Sequence, residues 1–277
     1  MRQLSLAGVE TKVEHSLKVL QTYAPKDGPY FGAFSGGKDS CVIKELAKMA
    51  GVSVVWHYSV TTIDPPELVR FIRDKHPDVL MDRPKHGTFF HRAAEYKGFP
   101  TRVQRWCCEE YKETAAPRGS VLILGVRAEE SPRRAARWRE AQMHFSSKCL
   151  AICPILAWTT RDVWDFIHSR EVPYCSLYDE GAERLGCIGC PMERAANRLA
   201  EFARYPRYEA LWKRMFARVW ERKHGTIQAD GRRWFGDRYF QTWEQMWEWW
   251  LTNGALPEDN DEADEEVCQL ALDHFSS

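Results

Sequence analysis

The stretch FGAFSGGKDSCVIKEL, residues 31–46, decides the fold. It begins with a short apolar run typical of a buried strand, and residues 38–50 have the apolar spacing of a helix. SGGKDS stands between them. Glycines let the backbone approach an anion closely, and the helix presents free N–H groups to it. Ser35, Ser40 and Lys38 add two hydroxyls and a cation, so the pattern predicts a phosphate-binding loop.

Strand and helix patterns alternate around this loop, which is typical of a mostly parallel sheet covered by helices. We expect further helices over residues 1–24, 66–76 and 160–169. Five strands are expected, at 30–34, 52–58, 78–81, 120–126 and 150–155. The fold class is therefore α/β, Rossmann-like and doubly wound, with a mostly parallel five-stranded sheet. Open sheets of this kind bind ligands at the carboxyl ends of their strands, where the loop lies.

Composition limits the classes of function. The chain has 277 residues, of which 44% are hydrophobic, and its formal net charge is zero. Any basic surface for nucleic acid must therefore be local. The sequence contains no apolar run long enough to span a membrane and no export signal. Nine cysteines in such a chain favour a reducing, cytoplasmic location, where thiols serve metals or catalysis more often than disulfides.

Four of these cysteines form two pairs. Cys107 and Cys108 are adjacent, whereas Cys187 and Cys190 form a Cys-x-x-Cys motif. Thiolates grouped in this way bind zinc or an iron–sulfur cluster. An adjacent pair closes poorly around a tetrahedral zinc ion, so we favour a [4Fe–4S] cluster. Zinc and the absence of any metal remain the alternatives.

The last part of the chain has a different character. We expect residues 1–195 to form the nucleotide-binding domain and residues 196–277 to form a helical extension. This extension is rich in Arg and Trp and includes an acidic stretch at 257–266. Arg and aromatic residues in alternation can bind single-stranded nucleic acid. The same spacing can also form helices that bury Trp and Phe while Arg stays in water.

These motifs together resemble a known superfamily. SGGKDS matches the pyrophosphatase loop (PP-loop) of the adenine nucleotide alpha-hydrolases. The order of the cysteine pairs resembles the phosphoadenosine phosphosulfate (PAPS) and adenylyl-sulfate (APS) reductases of that superfamily. The segment LGVRAEESPRR, residues 124–134, looks like their arginine loop. The reductases, however, carry a late catalytic cysteine in a Glu-Cys-Gly motif, and Cys268 stands in a different context.

The departure at Cys268 makes the chain closest in features to the ATP-pyrophosphatase subunits of DNA phosphorothioation systems. The resemblance implies splitting of ATP to AMP and pyrophosphate, with Mg²⁺ and a [4Fe–4S] cluster, to adenylate the DNA backbone for sulfur transfer. The implied partners are ATP, DNA, a cysteine desulfurase and other sulfur-transfer proteins, and a homodimer is possible. The alternatives are a sulfonucleotide reductase and a non-catalytic nucleotide- or nucleic-acid-binding subunit.

The resemblance also implies roles for individual residues. Catalytic roles fall to Lys38, Asp39 and Arg127. Asp39 either holds Mg²⁺ or caps the helix that follows the loop. The nucleotide would be held by Ser35, Gly36, Gly37, Lys38, Asp39, Ser40, Thr62, Asp64, Gly125, Arg133 and Arg134. The cluster ligands would be Cys107, Cys108, Cys187 and Cys190.

Overall fold

The computed structural model describes residues 2–113, 116–144 and 146–257, with side chains from Val9 onward. The chain divides into two compact units. The first comprises residues 1–85 and 108–186, and the second comprises residues 86–107 and 187–277. The domain boundary expected after residue 195 stays a prediction. The acidic stretch from residue 258 onward and Cys268 lie outside the described residues.

A six-stranded sheet forms the centre of the first unit, with the strand order β3-β2-β1-β4-β6-β5. The bounds are β1 Tyr30–Ala33, β2 Val54–Ser59, β3 Leu80–Asp82, β4 Val121–Ile123, β5 Ala141–Met143 and β6 Leu150–Ile152. All neighbours pair in parallel except β5, which is antiparallel to β6. The five expected strands are therefore confirmed, but the expected count is wrong. The short strand β5, with the sequence AQM, has no β-branched residue to mark it.

The helices lie around the sheet and in the second unit. They are α1 Arg2–Thr22, α2 Lys38–Met49, α3 Pro66–Lys75, α4 Phe89–Arg92, α5 Trp106–Cys108, α6 Pro132–Arg137, α7 Thr160–Ser169, α8 Ala195–Arg204, α9 Pro206–Lys223, α10 Phe235–Tyr239 and α11 Trp243–Thr252. Two π-helical segments span Ala93–Lys97 and Glu109–Glu113, and two 3₁₀ turns span Ala128–Glu130 and Ser176–Tyr178. In the part of the chain that the structure describes, no helix is both long and apolar enough to cross a membrane.

Helix α2 is deeply buried beside the loop. Its side chains Val42, Ile43 and Leu46 are fully buried in the core that the sheet shares with α1 and α7. Helix α7 begins where the sequence predicts, because Thr159 and Asp162 form a capping box at its first turn. The position of α2 fixes the loop that precedes it.

The turn between β1 and α2 requires a glycine at position 36. Gly36 has a φ of +71°, a left-handed conformation that side chains rarely adopt. A Cβ atom there would lie 2.5 Å from Cδ1 of Leu68 and 2.9 Å from Cδ1 of Ile72, both on α3. Backbone conformation and close packing by α3 therefore both exclude a side chain.

An aromatic core forms the centre of the second unit. Trp212 of α9 stacks on Trp250 of α11 with ring centroids 4.6 Å apart, and Phe216 and Trp247 pack beside them. These four side chains are all buried. The packing interpretation of the Trp-rich sequence is therefore confirmed, whereas binding of nucleic acid stays a prediction.

Arg198 of α8 departs from the expectation that Arg side chains stay in water. Its side chain is fully buried, and its guanidinium donates to the carbonyls of Trp250 and Leu251 and to Oδ1 of Asn253. These groups end α11, whose last carbonyls have no partner within the helix. A buried cation thus closes the C-terminus of α11 and lies 4.5 Å from the ring of Trp250.

We expect Gly36→Ala to destabilise the protein more than Gly51→Ala. Gly51 has a similar φ of +68°, but a Cβ atom there would meet nothing within 4 Å, so its substitution carries the conformational cost alone, about 1–2 kcal/mol. Gly36→Ala adds a collision with α3, worth a further ~1–3 kcal/mol. Urea unfolding of both variants measures the difference. Equal losses of stability would contradict the packing argument.

We also predict that acid destabilises the first unit through His76. His76 packs 4.7 Å from the ring of Phe34, and Nζ of Lys44 lies 3.2 Å from its Nδ1. Burial, assisted by Lys44 and opposed by Asp78, lowers the pKa of His76 to about 4 from 6.5. Between these values the unfolded chain binds a proton that the folded chain does not. Stability therefore falls as the pH drops from 6.5 to 4, by up to about 3 kcal/mol.

The measurement is the free energy of unfolding at several pH values across this window. His76→Gln should flatten the pH dependence, because the titrating group is gone. His86→Gln serves as the control, since His86 is exposed. An unchanged slope in His76→Gln would assign the acid sensitivity to other groups.

Candidate nucleotide-binding site

Hydrogen bonds between its own residues shape the phosphate loop. The hydroxyl of Ser40 donates to the carbonyl of Gly37 at 2.7 Å, and Oγ of Ser35 lies 3.3 Å from Oγ of Ser40. The backbone N–H of Gly37 donates to Oγ of Ser35. Gly37 is the N-cap of α2, and no side chain caps this helix. The loop is thus a tight turn at the positive end of a 12-residue helix.

Lys38 is held inside the protein. Its side chain is only 8% exposed, and its Nζ donates to the carbonyl of Glu183 at 3.1 Å. Its backbone N–H donates to the hydroxyl of Tyr178 at 3.0 Å, and its ammonium lies 5.4 Å from the Tyr178 ring. Burial raises the pKa of Tyr178 well above its usual value. The lysine cation is therefore fixed at the loop by the segment 178–183.

Asp39 and Arg127, both expected to be catalytic, form a direct ion pair. Nε of Arg127 donates to Oδ1 of Asp39 at 2.6 Å, and Nζ of Lys38 lies 3.7 Å from Oδ2. The side chain of Arg127 is only 3% exposed. The carboxylate of Asp39 thus lies between two cations. It does not cap α2, which was one of its two expected roles.

The other contacts of Arg127 extend to α7. Its Nη1 donates to Oε2 of Glu129 at 2.8 Å and to Oγ1 of Thr160 at 3.2 Å. Glu129 in turn accepts hydrogen bonds from the N–H and hydroxyl of Thr160, which lower the pKa of this carboxyl. Gly125 approaches α2 closely, since a Cβ there would lie 3.2 Å from the backbone carbon of Asp39. The segment 125–129 therefore packs against the first turn of α2.

Arg133 and Arg134, the other two arginines predicted to bind phosphate, lie on the helix that follows this segment. Arg133 is exposed, and Arg134 is half-buried and paired with Glu130. Both belong to α6, whose first turn is capped by Ser131. The structure gives them positions on a surface helix, and their expected role as phosphate clamps stays a prediction.

The segment after β2 forms a compact turn. Asp64 is buried, and its two carboxylate oxygens accept from the N–H of Thr61 at 2.9 Å and the hydroxyl of Thr61 at 2.7 Å. Thr62 has a φ of +68°, a strained conformation for a residue with a branched side chain. The Asp64 hydrogen bonds hold this strained turn beside the loop.

A cavity of about 270 Å³ lies beside β1, β2 and β4 in the first unit. Its walls are mostly apolar and include Phe31, Leu122 and Leu124. His57, another lining residue, stacks on Phe31 with ring centroids 4.1 Å apart and has its Nδ1 2.9 Å from Oδ2 of Asp82. Ser35 and Asp64 are the predicted nucleotide-binding residues found among the described lining. The cavity therefore opens onto the phosphate loop at Ser35.

The arrangement is suited to a nucleotide. The apolar cavity can take a base or nucleoside, as ligand pockets with few polar groups do. The turn at Gly36, the uncapped end of α2 and Lys38 can take the attached phosphates. Tyr178 and Glu183, which fix Lys38, were given no role from the sequence. Their segment follows the last strand by a long stretch, so only tertiary structure shows that it reaches the loop.

The four cysteines of the two predicted pairs are all partly exposed. Cys107, Cys187 and Cys190 belong to the second unit, and Cys108 belongs to the first. The N–H of Cys190 donates to the carbonyl of Cys187 across a turn in which Gly189 has a φ of +76°. Four thiols are a suitable donor set for an iron–sulfur cluster.

Among the described residues, no group of three or more His, Cys, Asp or Glu side chains is arranged to hold a metal ion. Hydrogen bonds nevertheless link the segment before the first cysteine pair to the segment after the second pair. Arg102 donates to the carbonyls of Pro191, Met192 and Glu193 at 3.1, 3.4 and 3.1 Å.

The other described cysteines, Cys41, Cys149, Cys153 and Cys175, are buried. Cys149 and Cys153 are 1% and 0% exposed. Burial raises the pKa of Cys153 to about 12, and the same cause raises the pKa of Cys41 to about 12. Such thiols are poor nucleophiles at neutral pH.

One known family model covers the part of the chain that contains this site. The family model of the phosphoadenosine phosphosulfate reductase domain matches residues 29–193, which include the loop, the arginine segment and both cysteine pairs.

Individual relatives are more distant. An uncharacterized protein of Methanocaldococcus jannaschii is 28% identical over 221 residues, covering 76% of this chain and 44% of that protein. The adenosine 5′-phosphosulfate reductase of Geobacillus kaustophilus is 30% identical over 128 residues, covering 43% of this chain and 53% of the reductase. The chain spans about half the length of the curated relatives it matches.

Solved structures show a weaker likeness. The phosphoadenylyl-sulfate reductase of Candida auris, crystallised as a phosphate complex, aligns with a TM-score of 0.49 at 16% identity, covering 65% of this chain and 93% of that one. Since the matched family model spans more than half of the 277 residues, the chain belongs to the phosphoadenosine phosphosulfate reductase domain family.

Proposed function

We propose that the protein is an ATP pyrophosphatase that adenylates an acceptor for sulfur transfer, with the DNA backbone as the acceptor. One observation carries the proposal: Ser35 belongs both to the phosphate loop and to the lining of the apolar cavity. A ligand with its base in the cavity and its phosphates on the loop has the layout of a nucleotide.

The loop favours ATP over a sulfonucleotide. SGGKDS is complete here, as in superfamily members that hydrolyse ATP. An acceptor oxygen would attack the α-phosphorus while the bond to the β-phosphate breaks, so that pyrophosphate leaves and the acceptor is adenylated. A sulfur nucleophile then displaces AMP. A phosphate oxygen is a poor leaving group, and adenylation supplies the better one.

The chain's own residues supply orientation and charge. Lys38 lies at the loop with its ammonium already desolvated, which strengthens its interaction with a phosphate. A phosphate that takes this ammonium must compete with the carbonyl of Glu183, which accepts a hydrogen bond from it in the structure. Arg127 is committed to Asp39, Glu129 and Thr160, so its role here is to hold the first turn of α2 in place. Mg²⁺ would arrive with ATP as its counterion.

That the four cysteines of the two pairs bind an iron–sulfur cluster is a further part of the proposal. A cluster bound by Cys107, Cys108, Cys187 and Cys190 would supply either a redox centre or an iron site for sulfur. No group of three or more metal-binding side chains is found among the described residues, so the reaction above takes no step through the cluster. The cysteine desulfurase, the further sulfur-transfer proteins and a homodimer stay proposals of the same kind.

Sulfonucleotide reduction is the second candidate, favoured by the relatives named as adenosine 5′-phosphosulfate reductases. It would use the same cavity and loop for the adenosine and phosphate of its substrate. It predicts sulfite as the product and a dependence on a thiol, for which Cys268 is the candidate in the sequence.

Pyrophosphate release from ATP tests the proposal. In anaerobically purified protein we expect Lys38→Ala to lower kcat/KM by roughly 10²- to 10³-fold, because a preorganised cation at the transferring phosphates is lost. Lys48→Ala is the matched control, since Lys48 is on the same helix and its side chain is 79% exposed. Stimulation by DNA would identify the acceptor.

Two outcomes would count against the proposal. Equal activity of Lys38→Ala and Lys48→Ala would remove Lys38 from the chemistry. Sulfite release from adenylyl sulfate, in protein that releases no pyrophosphate from ATP, would replace the pyrophosphatase with the reductase.

A further inference from the structure

The second unit contains a larger cavity, of about 580 Å³, which the proposed activity does not use. It lies between the loop after residue 97, the last turn of α9, α10 and the end of α11. Its aromatic lining consists of Phe99, Trp234, Phe235, Trp249 and Trp250. We call it the aromatic cavity.

The aromatic walls are held in place by their neighbours. Nε1 of Trp250 donates to the carbonyl of Pro100 at 2.8 Å, which fixes α11 to the loop that forms the opposite wall. The ring of Trp249 lies 5.7 Å from Phe235 and 5.5 Å from Phe240. A cavity with preformed walls binds a planar ligand at a lower entropic cost than a flexible surface does.

The indole N–H of Trp249 is a buried hydrogen-bond donor without an acceptor among the described residues. A buried donor without a partner costs about 1–3 kcal/mol. This N–H has almost no accessible surface, so only a ligand that displaces the side chains over it gains this energy; every nucleobase carries a carbonyl oxygen or a ring nitrogen able to accept the bond.

The charges at the cavity are of one sign. Lys97, Arg102 and Lys223 line it, and no Asp or Glu is among its described lining residues. The guanidinium of Arg102 is fixed by its bonds to the carbonyls of residues 191–193. In a chain of zero net charge, this is a local concentration of positive charge. It disfavours the cationic ligands that aromatic cages otherwise attract and favours a planar ligand with attached anions.

We propose that the aromatic cavity binds a nucleobase of single-stranded nucleic acid, with the adjoining phosphates on Lys97, Arg102 and Lys223. Aromatic faces stack on bases of any sequence, and cationic side chains beside them follow the phosphates. A base paired inside a duplex cannot enter a cavity without being unstacked. The site is therefore expected to prefer single strands.

The first test measures binding of a labelled oligothymidylate, about 12 nucleotides long, by fluorescence anisotropy. No ATP is present, so the result does not depend on the proposed pyrophosphatase activity. The test variant is Lys97→Glu/Lys223→Glu. The control variant is Arg207→Glu/Arg214→Glu, which changes the net charge equally at exposed positions of α9 outside the cavity lining.

We expect the test variant to bind at least about tenfold more weakly, with its slope of log affinity against log salt reduced by about 1.4, as the loss of two phosphate contacts predicts. The control variant should keep the wild-type affinity and slope. An equal loss in both variants would overturn the site, because it would show dependence on overall charge alone.

The second test removes the stacking contribution. We expect Trp249→Leu to weaken binding roughly 5- to 150-fold, and Trp249→Phe to retain most of the affinity because a π-face remains. An abasic strand of the same length should lose a similar factor with the wild-type protein, which keeps the test valid if Trp249→Leu does not fold. Equal binding of the abasic strand, or of a duplex, would overturn the proposal.

An oligouridylate of the same length distinguishes the source of the strand. Tighter binding of oligothymidylate would identify DNA, tighter binding of oligouridylate would identify RNA, and equal binding would show that the cavity reads the base without the sugar. Each of these results supports the site, provided that the cavity variants weaken the strand that binds.

Discussion

The nucleotide site depends on the ion pairs and hydrogen bonds of one buried side chain, the guanidinium of Arg127. A cation that is only 3% exposed is stable only where anions and hydrogen-bond acceptors surround it. Asp39, Glu129 and Thr160 meet this need, and they come from three separate parts of the chain. In satisfying one buried charge, the fold fixes the start of α2, the segment after β4 and the start of α7 relative to one another.

This arrangement changes the chemical meaning of Asp39. A carboxylate in the first turn of a phosphate-binding helix suggests a metal ligand when the sequence alone is considered. In the structure both of its oxygens face cations, Arg127 on one side and Lys38 on the other. Its clearest contribution is to neutralise and position these two side chains, so that the loop presents donors in a fixed geometry. Preorganisation of this kind is a main source of rate enhancement in phosphoryl transfer.

Local pattern predicts the elements of the site, and tertiary structure decides its contacts. The strand before SGGKDS, the helix after it and the capping box at Thr159 all follow from residues close in sequence. Strand β5 escapes prediction because three residues without β-branching carry no signal. Tyr178 and Glu183 escape it for another reason: their contacts with Lys38 span about 140 residues, and no periodicity records such a contact. The roles of Arg133, Arg134 and the cysteines remain predictions.

Arg198 links two features of the second unit, the end of α11 and the second cysteine motif. The same guanidinium that closes α11 at Trp250 and Leu251 also donates from Nη1 to the carbonyl of Cys190 at 3.5 Å. The side chain of Arg198 therefore contacts both the end of α11, which forms a wall of the aromatic cavity, and the second cysteine motif. Any displacement of the end of α11 must either break bonds to a buried cation or pull on the backbone of Cys190. The end of α11 and the cysteine turn are thus joined through one buried side chain, with its contact to Cys190 longer than its contacts to α11.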